Sequence, residues 1–157
     1  MTETYEEVAV FFDVVIDKVN GSYKLGTFTS CDGLSVEVET HPQPEGGNND
    51  FVLLLPVRLK YTTIKLTRPL GPDSLKVAAW FRGMANGFER TTGRIAALTT
   101  EGKELVAWQL DGIIPVRWQG PSFSAESPKI ATETIELAHT GFTMEAGRPS
   151  SPGGGTQ

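Results

Sequence analysis

Few residues in this 157-residue chain could carry acid–base, nucleophilic or metal chemistry. Cys31, His41 and His139 are its only thiol and imidazoles, and their scatter fits no zinc spacing. Cys31 has no His tied to it by a motif, so it reads as a small strand residue rather than a nucleophile. Glu136 precedes His139 by three positions, which in a strand puts the two on opposite faces and separates a would-be acid–base pair. Glu37 and Glu39 share one strand face about 7 Å apart. Carboxylates that close could hold a cation, but the plainer reading is the solvated face of a sheet, answered by Arg58 and Lys60 across a strand pair. Gly46-Gly47 and the glycine run 153–155 stand in polar loops with no helix following, so they cradle no phosphate. There is no G-x-S-x-G elbow and no P-loop. The residues therefore point to no catalytic site, no metal and no cofactor.

A net charge of −5 and a pI near 5.0 argue against a general nucleic-acid or anionic-membrane binder, which needs a basic face. One cysteine excludes a disulfide within the chain. Residues 1–7 are acidic where a secretory signal would be basic and then apolar, and the longest apolar run, 51–57, is interrupted by Pro56 and too short to span a bilayer. Synthesis in the cytoplasm without membrane insertion is the expectation.

The elements are mostly strands. In 8–17, Val8, Val10, Phe12, Val14 and Ile16 share one parity, predicting a strand with one buried face. Asn20-Gly21 signals a turn and 23–28 a second strand. Leu34, Val36 and Val38 alternate with Ser35, Glu37 and Glu39, predicting one buried and one wet face. Residues 41–50 read as a flexible loop, and strands resume at Phe51 and over 58–68. Within 58–68 the buried parity switches near Thr62-Thr63, through a bulge or a move between packing layers. Asp73 or Ser74 can cap a helix whose stripe is Val77, Trp80, Phe81, Met84 and Phe88, ending between Gly83 and Gly87. A strand at 94–99, a turn at 100–103, a return strand at 105–115, a Pro/Ser-rich connection at 118–129 and a closing run at 130–142 complete the order. The closing run puts Glu133, Ile135 and Leu137 on one side and Thr132, Thr134 and Glu136 on the other, neither wholly buried nor wholly wet. The expected organisation is a flexible 1–7, one domain over 8–146 and a disordered Gly/Pro/Ser tail over 147–157. The expected fold is mainly β: a small antiparallel sandwich or barrel with one flanking α-helix. Its edges must be blunted, closed or paired with another copy.

In this order the pieces resemble the myophage-type phage tail-tube family, which also supplies inner-tube subunits of contractile injection systems. The matching segments are F-F-D-V-V-I-D at 11–17, C-D-G-L at 31–34 with the acidic strand after it, Leu55-Pro56 and K-Y-T-T-I-K-L-T-R at 60–68. The helix with Trp80, then 93–98, Trp108, P-V-R-W-Q-G-P at 115–121 and I-A-T-E-T-I-E-L-A-H-T-G-F at 130–142 follow. The resemblance covers about 8–145. It implies a tail-tube and Hcp-like β-domain, and a non-enzymatic subunit of a hollow inner tube built from stacked hexameric rings. The implied partners are other copies, neighbouring tube, hub or baseplate and sheath proteins, and cargo in the lumen. On that reading Glu37, Glu39, Arg58, Lys60, Glu136 and His139 are candidate lumen or ring contacts. Pro42 and Pro44, an altered helix ending and the Gly/Pro/Ser tail depart from the family pattern and keep two roles open, a repeating tube subunit and the first ring on the baseplate. The competing readings are a monomeric barrel binding a small ligand between Trp108, Trp118 and Tyr61, and last an enzyme using His139 with a carboxylate.

Overall fold

The computed structural model describes residues 8–18, 21–44 and 52–149. The N-terminus 1–7, the turn at Asn20, residues 45–50 of the expected loop and 150–157 of the expected tail lie outside them. The chain runs β1 (Phe11–Lys18), β2 (Gly21–Phe28), β3 (Ser30–Asp32), β4 (Val36–Pro44), β5 (Val52–Tyr61) and β6 (Ile64–Pro69). It continues through α1 (Ser74–Gly83), β7 (Thr91–Leu98), β8 (Glu104–Gln119), β9 (Thr132–Ala138) and β10 (Gly141–Ala146). Every strand pairing is antiparallel, and α1 is the one α-helix among the described residues. None of its helices is long and apolar enough to cross a membrane.

Eight strands form one sheet in the order β2-β1-β7-β8-β9-β6-β3, with β10 also paired to β8. Its axis is β8, 16 residues long and running well past the expected end at Pro115. The closing run is two strands that hold one register along β8: Asp111 faces Gly141 and Ile114 faces Ala138. Both sides of this ladder break together. Gly112 takes φ +60°, where a Cβ would stand 2.5 Å from Thr140 Oγ1, so only glycine fits. Opposite it, Thr140 N–H and Oγ1–H both donate to the Asp111 carbonyl, at 2.9 and 3.1 Å. The sheet bends at this corner and wraps one core.

Period-two burial builds that core. Val14 and Ile16 of β1, Leu25 and Phe28 of β2, Ile64 and Leu66 of β6, Ile95 of β7, Leu110 and Ile113 of β8, and Ile135 and Leu137 of β9 are buried. Helix α1 adds Val77 and Trp80. Phe88 does not extend the expected stripe: α1 has ended, and the ring is 83% exposed. Neither Asp73 nor Ser74 caps the first turn through its side chain; Leu75 and Lys76 N–H instead donate to the Pro72 and Asp73 carbonyls. The tail expected to be disordered from 147 begins anchored, because Gly147 N–H donates to Leu105 O and Arg148 N–H to Glu104.

The apolar parity changes near Thr62-Thr63, but no residue of β5 is buried, so the change is one of sheet and not of buried face. β5 belongs to a separate two-stranded sheet with β4, whereas β6 joins the main sheet. Residues 41–44, expected in a loop, are strand. Pro42, Pro44 and Pro56 make this possible: they pair with Leu54, Val52 and Thr40 at positions of one parity, where the missing N–H groups face away from the partner strand. The expectation that Val36 and Val38 are buried fails, since they are 50% and 48% exposed. Among the described residues β4 pairs only with β5, and both valines stand open to solvent.

Candidate assembly surface

The β4–β5 hairpin is an arm with two chemically distinct faces. Its register puts Val36 opposite Tyr61, Val38 opposite Leu59, Thr40 opposite Pro56, Pro42 opposite Leu54 and Pro44 opposite Val52. A bulge between Glu39 and Thr40 leaves Val57 as the extra residue on β5. Paired residues share a face, so one side of the arm is an apolar row. Val52, Leu54, Val57 and Leu59 along it are each more than half exposed. Such a row in water is the signature of a surface covered in the assembled state.

The opposite face carries four of the expected site residues. Glu37 pairs with Lys60 and Glu39 with Arg58, the cross-strand match read from sequence. Arg58 Nε donates to Glu39 Oε2, and this bond holds the Glu39 carboxyl below its usual range. The other two site residues lie elsewhere. Glu136 stands on β9, flanked by Lys65 of β6 and Arg117 of β8 in register. His139 is not in a strand: it sits at the corner between β9 and β10 and turns its ring toward the arm's base. Its Nε2 lies 3.1 Å from the Thr62 carbonyl, and its ring packs against Tyr61 and Phe142. This contact turns the imidazole toward Thr62, whereas Glu136 is paired in register with Lys65 and Arg117. The rings proposed to share a ligand pocket are occupied separately. Trp118 donates to Glu133, Tyr61 packs on His139 and Phe142, and Trp108 packs against the core.

Sequence reasoning missed the fully buried carboxylate at the centre of the fold. Glu133 shares a face with Ile135 and Leu137, and that face is fully buried rather than mixed. Glu133 Oε1 accepts from Arg68 Nε at 2.6 Å and from Ser74 Oγ at 2.8 Å, and Oε2 accepts from Trp118 Nε1 at 2.9 Å. Arg68 also donates to the Leu25 carbonyl and lies over the Phe28 ring. This one pair ties β2, β6, β8, β9 and the start of α1 together. The available signal was the matching parity of Arg68 with Ile64 and Leu66, and of Glu133 with Ile135 and Leu137.

The face of β1, β7, β8 and β10 turned from the core carries Asp13, Arg94, Gln109 and Glu145 around the buried Ala96 and Ala107, with Phe11, Val15 and Leu98 beside them. Arg94 binds both Glu104 oxygens at 3.0 and 2.8 Å and Glu145 at 2.8 Å. These bonds hold the Glu104 and Glu145 carboxyls low, while burial, with Glu104 repulsion second, pushes Asp13 up. The signs follow. The Glu104 and Glu145 contributions are full above the usual carboxylate pKa and are lost as pH falls through their depressed values. Asp13 opposes them, its cost at neutral pH vanishing as it protonates. Glu104→Gln is expected to lose about 1.5 kcal/mol at pH 7. The gap from the parent should narrow as pH falls below the usual carboxylate range, as read by urea unfolding across an acid pH series. Burial pushes the Cys31 thiol up to about 12, so it carries no thiolate near neutrality. Among the described residues no cluster of three His, Cys, Asp or Glu could hold a metal ion.

Comparison with known proteins places this geometry. No curated protein matches the chain. A chain of the sheath–tube complex of an extracellular contractile injection system, PVC, in its extended state superposes with a TM-score of 0.74 at 23% identity, covering 92% of this chain and 94% of that one. A chain of the anti-feeding prophage (AFP) baseplate gives 0.75 at 21% identity, covering 93% and 98%. An Hcp protein gives 0.54 at 10% identity, covering 87% and 99%. At these identities the likeness is one of fold. The sequence profile of the T4-like virus tail tube protein gp19 matches residues 8–143, so the chain belongs to that family and is a structural tube subunit.

Proposed function

We propose that this subunit builds the inner tube of a contractile, phage-tail-like particle, as rings of six copies stacked on one another. The observation that carries self-assembly is the arm: an apolar row from Val52 to Leu59 that the subunit leaves uncovered and a second copy of the chain would cover. The charged face, Glu37–Lys60 and Glu39–Arg58, sets register between copies rather than affinity. Among the described residues β10 pairs on one side only, which leaves an edge for a neighbouring copy, and the face around Arg94 then serves as a wettable lumen wall. The fold shared with chains of PVC and AFP particles supports sheath and baseplate or hub proteins as neighbours, and cargo in the lumen. The subunit is made in the cytoplasm, joins the particle there and performs no catalysis.

Negative-stain microscopy of the purified protein across a concentration series tests this. Stacked rings or filaments are expected for a repeating tube subunit, and single rings for the first ring on a baseplate. A monomer at every concentration, alone and with its sheath and baseplate proteins, would sink the proposal.

A further inference from the structure

The arm stands apart from the main sheet, and its base is held in an unusual way. Its two stems are pressed together: Gly33 takes φ +96°, and a Cβ there would lie 2.1 Å from the Thr63 carbonyl oxygen. Thr62 Oγ1 donates to the Gly33 carbonyl at 2.9 Å and meets Ser35 Oγ at 2.9 Å. These contacts join stem to stem and do not fix the angle between arm and body. Leu34 packs one stem against the core, and the second grip from the body comes from the β9–β10 corner. There His139 Nε2 lies 3.1 Å from the Thr62 carbonyl, and the Tyr61, His139 and Phe142 rings form a triangle with centroids 5.4, 5.7 and 5.9 Å apart.

A carbonyl only accepts, so Nε2 is the protonated nitrogen and the donor. Nδ1 is then a bare acceptor, buried and without a hydrogen-bond partner. A side chain that leaves one nitrogen unsatisfied to place the other on the arm's base is held there by position, not by its own stability. Its backbone is rigid, because Thr140 is bonded twice to Asp111 of β8.

We propose that His139 is a positioning residue for assembly: it latches the β4–β5 arm at the angle from which the apolar row docks, and it touches no neighbouring copy itself. The leverage is large. β5 is 10 residues long, about 30 Å at the usual strand rise, so about 10° of play at Thr62 moves the tip about 5 Å. A displacement of that size takes an apolar row out of register with its partner. The inference rests on the tube reading for its consequence, but not for the latch.

Two measurements separate the latch from its consequence. The first uses spin labels on Leu54→Cys and Leu75→Cys in a Cys31→Ser background, reading the arm-to-helix distance in the monomer. Adding His139→Ala should broaden that distribution, and His139→Gln, which keeps an N–H for the Thr62 carbonyl, should narrow it again. An unchanged distribution overturns the latch. The second compares parent, His139→Ala and His139→Gln for the concentration at which rings or filaments appear. His139→Ala should raise it about tenfold with the thermal midpoint within a few degrees of the parent, and His139→Gln should recover most of the loss. Assembly of His139→Ala at the parental concentration, or a comparable fall in both assembly and midpoint, overturns the proposal. If the parent never assembles, the tube reading fails, and the label distances alone decide the latch.

Discussion

Glu133→Gln is expected to lower the thermal midpoint by on the order of 10 °C. The carboxylate is fully buried and accepts three side-chain donors, from Arg68, Ser74 and Trp118. Glutamine offers one oxygen and one N–H₂ in the same place, so at least one donor meets another donor. The Arg68 guanidinium, 5% exposed, then stays charged in the core without its anion. Breaking one side of a buried pair costs about 3–5 kcal/mol, and about 2–4 °C accompanies each kcal/mol in a domain of this size. The effect should spread beyond the pair, because Trp118 of β8 and Ser74, the first residue of α1, bond the same carboxylate. Replacing both partners, Arg68→Met with Glu133→Leu, should recover much of the loss, since apolar side chains of similar volume leave no charge stranded. A double-mutant cycle by chemical denaturation gives the coupling. A Glu133→Gln loss below about 1 kcal/mol would show that the network is not the clamp its geometry describes.

The second large effect should appear with no loss of fold. Leu54→Asp combined with Leu59→Asp puts two charges into the exposed row of the arm, on the face shared with Val38 and Pro42. Both leucines already face water, at 59% and 57% exposure, so the isolated subunit should unfold at nearly the parental temperature. Assembly should disappear, because a buried interface would have to desolvate two carboxylates with no partner. Truncating a central interface residue costs about 2 kcal/mol or more, some thirtyfold in affinity, and charge insertion costs more. Sedimentation velocity with microscopy reads this directly. Rings formed by the doubly charged variant would show that copies meet elsewhere. The control is Glu37→Gln with Lys60→Gln, which removes one cross-strand charge pair from the other face and should weaken assembly far less.

What the sequence shows of this fold depends on how local each signal is. The match of Glu37 and Glu39 with Arg58 and Lys60 was readable because the acidic strand alternates cleanly and the two basic residues stand at the same spacing on the next strand. The hairpin turn at 100–103 was readable from Thr100-Glu101-Gly102-Lys103, and Thr99 N–H closes it on Lys103 O at 2.9 Å. The arm's independence was not. Val36 and Val38 carry the same pattern whether their apolar side meets the subunit's own core or another chain, and only the change of sheet at Thr62-Thr63 tells them apart. The strand at 41–44 hid behind two prolines that look like loop residues until their shared parity is set against a single partner. His139 was legible as a contact residue of the closing run, but not as a neighbour of the arm's base. Its partner there, Thr62, is 77 positions away.

The long strand β8 also bears on how a subunit carries load. Its hydrogen bonds run perpendicular to its length, with β7 and β10 on its two sides before the bend at Gly112 and β9 after it. A pull along β8 therefore loads many bonds at once, in shear, and none can give way before the others. A pull across it would peel them singly. A tube thrust lengthwise would thus be strongest where β8 lies along the direction of travel, and the place to yield would be the Gly112–Thr140 corner, where the ladder is interrupted on both sides.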